Sequence, residues 1–91
     1  MRFVAVHPVA FPEEQLAPLA REPMPDGVLW HDTLIAYGDM KTYCQWEAPT
    51  RQTLADLFLK YGIPVDEIHE VRRFDPAAGR LEPEVEVPAH A

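Results

Sequence analysis

Four stretches of the chain carry the short apolar, β-branched and aromatic runs of strands, and two carry apolar residues at helical spacing. Arg2 to His7 is short, β-branched and aromatic, and it stops before Pro8. It predicts a first strand. Pro12 stands where the first turn of a helix tolerates it, with Glu13 and Glu14 placed to favour the helix dipole. Leu16, Leu19 and Ala20 then fall on one stripe. Pro18 interrupts that stripe and removes a backbone donor, so the helix should be short or bent. Val28 to Tyr37 and Lys41 to Glu47 read as a second and third strand. The short link through Gly38-Asp39 makes them an antiparallel hairpin. In the third strand Thr42, Cys44 and Trp46 share one face, and Tyr43, Gln45 and Glu47 the other.

Thr50 is placed to cap a second helix over Arg51 to Tyr61, with Leu54, Leu57, Phe58 and Tyr61 on its apolar stripe. Gly62 and Pro64 end it. Glu67 to Phe74 reads as the last strand, closed by Asp75-Pro76. The order βαββαβ, with right-handed crossovers, predicts an α+β ferredoxin-like fold. It has a four-stranded antiparallel sheet and two helices on one face. The domain should span residues 1–76. Residues 77–91 form an acidic, proline-rich tail in which Val85 and Val87 alternate with Glu84 and Glu86, a pattern for an extra edge strand or a docking segment.

Composition narrows the function. Eight basic residues against fifteen acidic ones give a formal charge of −7, which repels phosphate backbones and argues against nucleic acid. No apolar run reaches the roughly 20 residues of a membrane span, and His7-Pro8 breaks the first one, so neither a membrane anchor nor a secretory leader is expected. A lone cysteine forms no internal disulfide and fits a reducing, cytoplasmic setting. The sheet face away from the helices carries aromatics, which predicts a homodimer built through it.

Cys44 is the chief candidate for chemistry, as a thiolate ligand to a soft or borderline divalent metal such as nickel or zinc. Its plainer alternative is a small apolar filler. His7 and His31 lie on the strands that flank the third strand in this fold. With Cys44 they would make a three-ligand site if all three share a face. His69 lies on the fourth strand and His90 in the tail. Trp30, Tyr37, Tyr43 and Trp46 supply large contact areas for core and interface. Two alternatives stand beside metal binding. One is a small dimeric enzyme of oxygenase or isomerase type with an aromatic-lined pocket. The other is an interaction module that docks through its acidic tail.

Three runs carry a family resemblance: Lys41-Thr42-Tyr43-Cys44 with Glu47-Ala48-Pro49; Tyr61-Gly62-Ile63-Pro64-Val65-Asp66-Glu67-Ile68; and Glu70-Val71-Arg72-Arg73-Phe74-Asp75-Pro76. In this order and spacing they resemble a family of small bacterial proteins that includes an actinobacterial nickel-binding protein. The resemblance covers roughly residues 28–76. It implies a ferredoxin-like fold, a dimer and a divalent-metal site using Cys44, with Glu47 also on a matching position. Two features depart from that pattern. The first helix is short and holds Pro18 rather than being long and alanine-rich. His31 is displaced by one position along the second strand, which turns a side chain to the opposite face.

Overall fold

The computed structural model describes residues 1–83. The chain runs β1 (Arg2–His7), α1 (Glu13–Ala20), β2 (Leu29–Ala36), β3 (Lys41–Glu47), α2 (Arg51–Lys60), β4 (Glu67–Glu70), β5 (Phe74–Asp75) and β6 (Arg80–Leu81). The first four strands form one antiparallel sheet in the order β2-β3-β1-β4, the ferredoxin-like arrangement expected from the order of elements.

The alternation along β1 and β3 decides which side is buried. Phe3 lies opposite Trp46, Ala5 opposite Cys44 and His7 opposite Thr42, and these side chains face the helices. They join Leu54, Leu57 and Phe58 of α2 in the core. Thr42 is fully buried because both of its hydrogen-bonding roles are met. Its hydroxyl donates to the Val9 carbonyl at 2.6 Å and accepts from the Phe11 amide at 3.3 Å, which ties the β1–α1 link to the sheet.

The two helices differ in how well their ends and faces are fixed. Thr50 caps α2, its hydroxyl accepting from the Thr53 amide at 3.1 Å. At the other end Gly62 takes φ +65°, and the Ile63 and Gly62 amides return to the Phe58 and Leu59 carbonyls. That is the Schellman closure its glycine predicts. In contrast, α1 begins after Pro12, has no side-chain cap, contains Pro18 and buries none of its residues.

Two local departures matter for the site. Between Trp30 and Asp32 the β2–β3 register slips by one residue, a β-bulge with His31 as the extra position. And β4 ends at Glu70, four residues before the expected end at Phe74. The chain turns out of the sheet there and forms the β5–β6 hairpin. The Asp75 carboxylate accepts from the Ala77 amide, and Gly79 takes φ +68°. This hairpin carries Glu82 back to Arg2, so the sheet face away from the helices is contacted at one end rather than left wholly open. The alternating Glu84 to Val87 segment lies outside the described residues. Among those described, no helix is long and apolar enough to cross a membrane.

Candidate functional site

Two groups of polar side chains stand on opposite faces of the sheet. The inner group is sealed. His7 is 1% exposed and sits edge-on between Phe11 and Phe58, with ring centroids 5.5 and 5.1 Å away. Its Nδ1–H donates to the Pro64 carbonyl at 2.8 Å, which fixes the neutral tautomer with an acceptor at Nε2. Burial lowers the pKa of His7 below the usual imidazole value, against a smaller upward pull from that hydrogen bond and from Asp66. Cys44, 4% exposed, ends a relay. Trp30 Nε1–H donates to the Thr33 hydroxyl at 2.8 Å, and that hydroxyl donates to the Cys44 sulfur at 3.1 Å. Burial pushes the thiol up, more strongly than the Thr33 hydroxyl and the nearby Trp46 indole pull it down.

A buried, protonated thiol is a poor nucleophile. Ellman's reagent is therefore expected to leave Cys44 untouched in the native protein and to titrate one thiol per chain in guanidinium. Full reaction without denaturant would contradict this placement.

The outer group is accessible. The bulge turns His31 onto the face that carries Glu47, and its Nε2 lies 2.9 Å from Glu47 Oε1. Arg2 Nη1 lies 3.6 Å from that same carboxylate oxygen and 3.7 Å from Glu82. Glu82 in turn pairs with Arg73 at 2.9 Å. On the far side of this face, His69 Nε2 approaches Glu67 at 3.3 Å.

The structure thus brings His7 and Cys44 to one face and sets His31 on the other. Among the described residues, no three His, Cys, Asp or Glu side chains gather into a group able to hold an ion. A three-ligand site of Cys44, His7 and His31 does not assemble within one chain, because the sheet itself separates them. The one-position displacement of His31 had the sense the bulge now gives it. The partnership of His31 with Glu47 was legible only in part, since a bulge has no reliable sequence mark. The roles of Thr33, Arg2 and Glu82 carried no signal.

Comparison with known families decides the affiliation. Residues 8–71 match the family described as nickel responsive protein SCO4226-like. The chain belongs to that family. The match includes both faces of the site, from His31 and Cys44 to His69. No curated protein and no solved structure matched.

For nickel, the SCO4226-like chain offers suitable donor chemistry in insufficient number. Imidazole nitrogen and carboxylate oxygen both suit a borderline divalent ion. One chain presents them outward in twos, as His31 with Glu47 and as His69 with Glu67.

Proposed function

We propose that this protein binds a divalent nickel ion, for sequestration or sensing and without turnover. The ion's first ligands are His31 and Glu47 on the outer face of the sheet, and a second copy of the chain completes the set. One observation carries the choice of place: Nε2 and Oε1 face each other across 2.9 Å at an accessible surface, whereas Cys44 and His7 are sealed under the helices. Imidazole and carboxylate ligate only through unprotonated atoms, so protons compete with the ion and binding weakens as the solution is acidified.

A borderline divalent ion takes at least four ligands, so the pair from one chain leaves positions that the same face of a second copy, together with water, fills. The same face carries Leu34, 63% exposed, directly opposite Tyr43. Covering such apolar area favours a homodimer. This reading places the protein in the cytoplasm, where a lone thiol stays reduced.

The test is a nickel titration of the untagged protein, followed by calorimetry and by sedimentation. Saturable binding that weakens at lower pH and a shift toward dimer are expected as the ion is added. Thiolate-to-metal charge-transfer absorbance should be absent, because Cys44 is not a ligand. Strong charge-transfer bands would return the anchoring role to Cys44. Absence of saturable binding would remove the nickel reading altogether.

A further inference from the structure

Arg2 stands between two carboxylates on the outer face of the sheet and is fully bonded to neither. Its Nη1 lies 3.6 Å from Glu47 Oε1 and 3.7 Å from Glu82 Oε1. Both separations exceed hydrogen-bond length, so each contact is one of charge rather than of direction. Among the described residues, its Nε–H is buried and has no acceptor. The Arg2 side chain is 15% exposed and that of Glu47 20%, so solvent screens this pair less than an ordinary surface ion pair. A guanidinium placed in this way has two nearly equivalent partners.

The two carboxylates belong to different parts of the molecule. Glu47 ends β3 and pairs with His31. Glu82 follows β6, where the Arg73 guanidinium bonds its carboxylate at 2.9 Å and its amide donates to the Arg73 carbonyl at 2.7 Å. Those bonds lie at the base of the β5–β6 hairpin and do not fasten it to the sheet. The fastening is at Arg2. The Val71 amide donates to the Arg2 carbonyl at 2.9 Å, and the Glu82 carboxylate faces the Arg2 guanidinium. The hairpin itself is thinly packed, with Phe74 56% and Leu81 47% exposed. An element with so little buried apolar surface has a low local stability, so a single ion pair is a large share of what holds it.

We propose that Arg2 couples the charge on Glu47 to the hold of the sheet on the β5–β6 hairpin. Whatever neutralises Glu47 frees the guanidinium for Glu82, and the hairpin is held more firmly. A divalent cation on His31 and Glu47 acts in two ways, by offsetting the carboxylate charge and by repelling the guanidinium. By reciprocity, an ionised Glu82 that draws Arg2 away favours the cation. The coupling needs no metal; its use as the signal of a nickel sensor rests on the nickel reading above.

Solvent exchange of the Glu82 amide, followed by NMR on the metal-free protein in chelator, reads the hold on the hairpin. Glu47→Gln is expected to slow that exchange roughly threefold, the size of an ion pair at a partly exposed site. Arg2→Met keeps the apolar stem and loses the charge. It should speed the exchange, and in the double variant it should abolish the effect of Glu47→Gln. Circular dichroism is the folding control. Nickel chloride added to the parent protein should slow the exchange as Glu47→Gln does. In calorimetry Glu82→Gln should bind nickel about threefold more weakly than the parent, and the same substitution should matter less in the Arg2→Met background. The proposal is overturned if Glu47→Gln leaves the exchange unchanged in the metal-free protein. An equal effect of Glu47→Gln with and without Arg2 overturns it as well. If the metal-free protein responds as expected but no nickel binds, the nickel reading falls and the coupling through Arg2 stands.

Discussion

His31→Ala is expected to lower nickel affinity by roughly a hundredfold, while Cys44→Ala leaves it unchanged. Groups that only orient a metal ligand are typically worth about 10–100-fold, so a direct ligand should reach at least the upper end of that range. Glu47→Gln should act in the same direction, since the amide keeps the shape of the side chain and loses its charge. None of these outer-face changes should unfold the protein. His31 lies in an accessible bulge, and surface substitutions of that kind usually stay within about 0.5 kcal/mol. Calorimetric titration of the three variants gives the comparison, with circular dichroism as the folding control. Equal losses in His31→Ala and Cys44→Ala would mean that the sheet does not divide the two groups as described.

The second large effect is on stability. Phe58→Ala is expected to cost about 3–5 kcal/mol, the usual range for removing a fully buried aromatic ring. Phe58 is 1% exposed, and its ring meets both His7 and Trp46 edge-on, at 5.1 and 5.6 Å. It therefore joins α2 to β1 and β3 at a single point. A chain of this length has a total stability of only about 5–14 kcal/mol, so the loss is a large share of it. At about 4–8 °C per kcal/mol, the melting temperature should fall by about 12–40 °C. The neighbouring Leu59, 81% exposed, is the internal comparison, and Leu59→Ala should change stability by no more than about 0.5 kcal/mol. A small effect of Phe58→Ala would show that α2 is held elsewhere than at this ring.

Those two results would test different parts of what the sequence made legible. The β3 boundaries, the α2 stripe and the Gly62 closure were all readable, because each rests on a strong local rule: period two, period 3.6 and a left-handed glycine. From them the strand order, and the burial of Thr42, Cys44 and Trp46 as a set, follow directly. The end of β4 was not readable. Val71 to Phe74 offers no Gly or Pro to stop a strand, and only the Asp75 and Gly79 turn chemistry beyond it marks the hairpin into which the chain turns. The site was legible in its members but not in their grouping. A single extra residue at His31 reverses a side chain's face, and alternation alone cannot show where a bulge falls. Glu82 reaches Arg2 through a turn that sequence spacing does not encode.

That division of the sheet into a sealed inner face and an accessible outer one underlies the nickel reading. The most direct measurement is anomalous scattering at the nickel edge from a crystal of the untagged protein grown with the ion. The account predicts a peak beside His31 Nε2 and Glu47 Oε1 on the outer face, with the remaining ligands from a second copy. A peak beside the Cys44 sulfur under the helices would contradict it.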